Sequence, residues 1–348
     1  MKKTALSVAL ATFALFNTAE ADVLSSIQPI GFIVADLTKN VTNNSVLIPA
    51  NKSPHSAQLT PKDLATVKNS DLLVYIDDNM EISLGKVVNN SRTKPKNVLE
   101  LSQIPAIKAL LIKGVHHDHD EEEHHHDHHD DDDHKHDSHE HDDADTHKHT
   151  HSDDKTHKHE HSSEHSKEQH ANEELEINYH IWTSPIIAQH IAQGIADKLI
   201  EIYPDKKETI LSNLADFNQQ LTLTNKELQE LLTPNKMSNF YVYHDAYTYF
   251  ETAYNFQSKN RGAIYFNVNV DPSVKVINEL NNKAKEDNVK VIFTEPQFNQ
   301  GIANKLAQSI GAKLGVLDPL GVDLKVQPGA YQEFLKNLGK SFSILLNQ

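Results

Sequence analysis

The stretch from Pro204 to Leu232, PDKKETILSNLADFNQQLTLTNKELQELL, runs 29 residues without a Gly or a second Pro. Apolar residues Ile210, Leu211, Leu214, Phe217, Leu221, Leu228 and Leu231 fall on one helical face. One helix of that length measures about 43 Å at 1.5 Å per residue, more than a small lobe needs. The spacing therefore predicts a spine over 204–232, lying across two lobes.

Both flanks alternate between strand and helix signals. On the N-terminal side, GFIVADLTKNVT, SVLIP, DLLVYI and KNVLEL read as strands. TPKDLATVKNS reads as a helix with Thr60 as N-cap and Pro61 at the first position, and NMEISLGKVVNN as another. SPIIAQHIAQGIADKLIEIY starts a longer helix at Ser184. Beyond the spine, FYVYHDAY, GAIYFNVN, VKVIFTE and KLGVLD read as strands between three further helices. Such alternation implies parallel sheets covered by helices. The expected fold class is α/β: two doubly wound lobes, 22–203 and 233–348, joined by the spine.

One segment cannot join either core. Residues 116–170 hold 20 of the 24 His, 20 acidic residues and 5 Lys. That composition buries nothing, so a disordered insert is expected. As a flexible chain it would span roughly 40 Å. It also carries nearly all of the net charge of −16. The remainder is close to neutral, which excludes a nucleic-acid surface, since that needs a basic stripe. Imidazoles titrate near pH 6.5 and are mostly neutral at pH 7, free to coordinate metal. Solubility alone would not need 20 of them. Weak metal sites are expected at His116, His117, His119, His124, His125, His126, His128, His129, His134 and His136.

The first 21 residues combine Lys2 and Lys3, an apolar run from Ala5 to Phe16, and small residues Ala19 and Ala21. This is the pattern of a secretory leader cleaved after Ala21, and without a lipid-attachment Cys it best suits export to the Gram-negative periplasm. There is no Cys, so neither a lipid anchor nor a disulfide is available.

Only four His lie outside the insert. His55, His180 and His244 each occupy a strand end or a loop leading into a helix. That edge of an open α/β sheet is where ligands bind. His190 sits mid-helix and reads as structural or exposed. Neutral imidazole is a good zinc ligand. However, gaps of 125 and 64 residues match no compact metal motif, so a capping or core role stays open for each His. Asp318, in GVLDPLG, is a fourth candidate: a ligand, a support for a ligand, or a turn cap. Asp36 and Asp245 carry less weight.

The ordered set SPHSAQLTPKDL, YHIWTSP, VYHDAYTYF, TEPQF and GVLDPLG resembles the cluster A-I metal-binding receptors of bacterial ABC importers, and among them the zinc-binding members. The resemblance implies two α/β lobes joined by a long helix, with Zn(II) as transported ligand in the cleft between them. It implies His55, His180 and His244 as the main ligands. It also implies a monomer that serves an inner-membrane ABC permease with a cytoplasmic ATPase. The His at position 244, where manganese members carry a carboxylate, favours zinc. Pro54 stands where some zinc members carry Glu, and Asn178-Tyr179 where many carry Asp-Pro. The expected function is capture and delivery of zinc, with the His-rich insert as a weak collector. No phosphate loop occurs, so the chain would not hydrolyse ATP, and no HExxH occurs. A zinc hydrolase or lyase would have to use Glu251 or Glu295 as base. An adhesin or metal buffer using the insert alone is the third alternative.

Overall fold

All eight strands of the two main sheets are three to five residues long and parallel. The computed structural model describes residues 23–113, 177–232, 237–256, 261–265 and 267–347. The leader, the His-rich insert and its expected metal sites lie outside the described residues.

In the N-terminal sheet the order is β2-β1-β3-β4, from β1 (Val23–Ser25), β2 (Asn44–Val46), β3 (Leu72–Tyr75) and β4 (Val98–Glu100). The C-terminal sheet runs β10-β9-β7-β8, from β7 (Phe240–His244), β8 (Gly262–Tyr265), β9 (Val291–Thr294) and β10 (Lys313–Val316). In each sheet the first strand pairs with the next two on opposite sides, so the chain reverses its direction of travel there. These switch points open a crevice beyond the strands' carboxyl ends. Between the sheets, β5 (Ile112–Lys113) and β6 (Ile177–Asn178) form a two-residue antiparallel pair at the root of the insert.

Along β7 the side chains alternate between two cores, as a period of two demands. Phe240 and Val242 enter the main core, while Tyr241 and Tyr243 enter a smaller one with Ile264, Ile292 and Leu306. The main core is continuous from Leu24 and Phe32 through Phe217 to Phe293 and Phe342. It therefore passes through both lobes. Each large side chain in it contributes about 1.5–3 kcal/mol of burial, which opposes wide lobe opening.

The spine is one unbroken helix, α6 (Lys207–Leu231), entered through a single 3-10 turn at Pro204–Lys206. It starts three residues later than the sequence pattern suggests. Its buried seam, Ile210, Asn213, Leu214, Phe217, Leu221, Thr224 and Leu228, follows the expected face except at Leu211 and Leu231, which are exposed. Asn213 Nδ2 donates to Leu37 O and Lys39 O and so holds the N-terminal lobe to the spine. α5 (Pro185–Ile202) starts at Ser184, whose Oγ accepts from Ile187 N. α2 (Pro61–Asn69) has a full capping box between Thr60 and Asp63.

One element differs in kind from the sequence expectation. GFIVADLTKNVT is not a strand: residues Gln28–Leu37 form helix α1, with eight of ten residues buried. A helix covered on all sides shows no 3.6-residue stripe, and its β-branched residues then read as strand. Pro29 at the helix start was the contrary signal. Gly31 is required here, because a Cβ would lie 2.4 Å from Val46 Cγ2 on β2. The first strand is instead the short segment Val23–Ser25, and β2 ends at Val46, before the apolar run does.

Candidate metal centre

Three loops bring one imidazole each to the crevice. His55 lies between β2 and α2, in the turn that precedes the Thr60 cap. His180 follows β6 and is the N-cap of a 3-10 turn, Ile181–Thr183, that runs into α5. His244 is the last residue of β7, the switch strand of the C-terminal sheet. His180 Nε2 lies 3.2 Å from His55 Nε2 and 3.1 Å from His244 Nε2. Two nitrogens bound to one tetrahedral zinc at 2.0–2.1 Å would sit about 3.3–3.4 Å apart. Among the described residues these three form the only group of His, Cys, Asp or Glu with that convergence. His190 takes no part and lies half-buried on α5.

The opposite ring nitrogens settle the tautomers. His244 Nδ1 lies 2.8 Å from Glu295 Oε1, a fully buried carboxylate at the end of β9. A carboxylate there makes Nδ1 the protonated nitrogen and leaves the Nε2 lone pair facing the crevice. His180 Nδ1 lies 2.9 Å from Asn178 Oδ1. The Asn178 amide is oriented by Nδ2 donating to Asp245 O, so its oxygen must accept from the ring. Two Nε2 lone pairs thus point at a shared centre, which suits a cation.

Two of the three rings are also held neutral. Burial, and then repulsion from His244, lowers the His55 pKa to about 3. Burial, followed by His244 and His55, holds His180 well below the usual imidazole range. Both rings are neutral, the form that coordinates metal. Behind them Arg261 Nη2 pairs with Asp245 at 2.5 Å, and Arg261 Nε donates to buried Glu251 at 3.1 Å. Burial raises the Glu251 pKa to about 7, with Arg261 opposing that rise. Glu251 therefore braces the backbone that carries His244 rather than facing the crevice.

Asp318 is spent elsewhere. Its Oδ1 accepts from Leu320 N, Gly321 N and Gln297 Nε2, each at 3.0 Å, and its Oδ2 from Val322 N at 2.6 Å. It folds the turn that sets Pro319 and Leu320 against the three His. Across the crevice, Trp182 Nε1 donates to Pro319 O at 2.7 Å, and Gln297 Nε2 to Ala50 O at 3.0 Å. Sequence reading singled out neither Asn178 nor Glu295 as a support, though Glu295 stands in the quoted TEPQF and Asn178 was noted as a departure from the family pattern. Glu295 is the last acid before a turn at a strand's carboxyl end, which is the signal available.

Comparison with known proteins agrees with the geometry. The family described as "ZnuA: Zinc-uptake complex component A periplasmic" matches residues 23–343. The high-affinity zinc uptake system protein ZnuA of Haemophilus influenzae is 42% identical, covering 98% of this chain and 97% of its own. A crystal structure of ZnuA shares the fold with a TM-score of 0.66 at 22% identity, over 94% of this chain and 99% of that one. A ZnuA deletion mutant lacking 138–173, solved with zinc bound, has a TM-score of 0.65 at 22% identity, over 93% and 97% of the two chains.

Proposed function

The chain belongs to the ZnuA family of periplasmic zinc-uptake components, and on that premise we propose that it holds Zn(II) between its lobes on His55, His180 and His244. The observation that carries this is the meeting of three Nε2 atoms from both lobes, two of them with their Nδ1 protons already committed. Imidazole nitrogen favours zinc over manganese, which prefers carboxylate oxygen. Asp318 supports the site by folding the wall beside it. The family binds and delivers solute and is not enzymatic. The ion passes to an inner-membrane ABC permease, and the leader, cleaved after Ala21, carries the chain to the periplasm.

The His-rich insert gathers zinc weakly and raises its concentration near the cleft, since a tethered donor makes transfer intramolecular. Three proteins test the whole reading by zinc titration: the full chain, the chain lacking 116–170, and that deletion with all three His changed to Ala. The deletion is expected to keep one tight site and lose the weak ones, and the triple change to lose the tight one. Equal stoichiometry in the first two would make the insert inert. Tight binding by the third would remove the cleft site.

A further inference from the structure

Three imidazoles leave one side of a four-coordinate ion open. Pro54, directly before His55, has no donor side chain. Asp318 spends both oxygens on the turn and on Gln297. Glu295 gives Oε1 to His244 Nδ1, while its Oε2 is buried without a hydrogen-bond partner and belongs to the same cavity wall. Gln297 is the neutral candidate. Its Nε2 donates to Ala50 O and to Asp318 Oδ1, both at 3.0 Å. A backbone carbonyl and a carboxylate only accept, so the amide cannot be flipped and its oxygen must face the other way. That Oε1 is buried without a hydrogen-bond partner, and Gln297 lines the cavity shared by the three His. A buried acceptor left unpaired calls for a ligand or an ion.

We propose that Gln297 Oε1 is the fourth donor to the ion held by His55, His180 and His244. This rests on the three-His reading and deepens it. The donor set is then wholly neutral, with the Glu295 carboxylate one step behind His244. A neutral carbonyl holds a divalent ion less firmly than a carboxylate, which suits a cargo that has to leave. The same amide joins Ala50 on the N-terminal side to the Asp318 turn on the C-terminal side. Occupation of the site is thereby coupled to the contact that ties the two walls together.

Ser53 and Glu295 are the rival donors: Ser53 Oγ and Glu295 Oε2 are also buried, unpaired and in the cavity wall. The test measures zinc affinity by chelator competition and the visible bands of the Co(II)-loaded protein. Gln297→Met keeps the length and removes the oxygen; it is expected to weaken zinc about tenfold and shift the Co(II) bands. Gln297→Glu restores an oxygen but not the amide donors, and is expected to bind zinc at least as tightly as wild type. If Gln297 were only a clasp, Glu would bind no better than Met, because it meets Asp318 with like charge and offers Ala50 O no donor. That order overturns the proposal, as does weakening by Ser53→Ala or Glu295→Gln with Gln297→Met unchanged. Should Gln297→Met not fold, Gln297→Ala takes its place. His180→Ala is the separate control. Unchanged affinity there sinks the three-His reading itself, whereas loss there with an unaltered Gln297→Met sinks only the fourth donor.

Discussion

His244 and His55 meet at one centre but are held in opposite ways. His244 ends a fully buried strand, donates Nδ1–H to a buried carboxylate, and is braced from behind by the Asp245–Arg261–Glu251 cluster. His55 is half-buried on a loop, and among the described residues its only hydrogen-bonding partner is His180. His180 resembles His244, with Asn178 in the role of Glu295. A ligand fixed by its surroundings loses little freedom on binding, and one on a loop loses more. The C-terminal wall and His180 thus form a prepared seat, and the His55 loop is the part able to move when the ion leaves. The shared core beneath both lobes makes a small loop shift cheaper than a wide hinge.

The comparison breaks most visibly with the ligands themselves. His180→Ala or His244→Ala is expected to weaken zinc on the order of a thousandfold, about 4 kcal/mol, by chelator competition. His55→Ala should cost less, about a hundredfold. Equal or greater loss at His55 would reverse the assignment of fixed seat and moving arm.

Supports come next. Glu295→Gln should lower affinity about 10–100-fold and Asn178→Ala about tenfold, because the unsupported ring can turn or change tautomer. If Asn178→Ala costs more than Glu295→Gln, the carboxylate is not the stronger anchor.

Acidification separates the cleft from the insert. With His55 near 3 and His180 well below 6.5, protons compete weakly for two of the three cleft rings. Zinc bound there should therefore change little between pH 7.5 and about 6, while the insert's ordinary imidazoles release theirs as pH falls through about 6. Counting bound zinc by equilibrium dialysis at both pH values checks this. Parallel loss from full-length and insert-deleted protein would contradict it.

The smallest effect lies away from the site. Asp36, on α1, accepts from Gly329 N at the start of α10 (Ala330–Ser343), and burial raises its pKa to about 6. A carboxyl raised from 3.8 contributes stability below its unfolded pKa and loses it as pH climbs to 6. Asp36→Asn keeps the acceptor without the charge. It should stabilise the metal-free protein by about 1–2 kcal/mol at pH 8 and by nothing measurable at pH 4. Thermal melts at both pH values decide; a gain of equal size at pH 4 would mean the charge is not the cause.

Read from residues alone, the two lobes, the spine and the three scarce His were legible, because each leaves a local mark: alternation, period and rarity. Helix α1 was not, since full burial erases the stripe that marks a helix. Asp318 stayed open between ligand, support and turn cap because a position beside a strand end serves all three, and its four hydrogen bonds fit the turn cap.

The sequence by itself determined which side chains could bind a soft-to-borderline metal and that each would sit at a strand end or a loop leading into a helix, for periodicity and donor chemistry are properties of short stretches. Only the tertiary structure decided which nitrogen of each ring faces inward and where the amide oxygen of Gln297 points. Those outcomes depend on partners 51 residues from His244 and 247 residues from Gln297, and no local pattern encodes a hydrogen bond over such a separation.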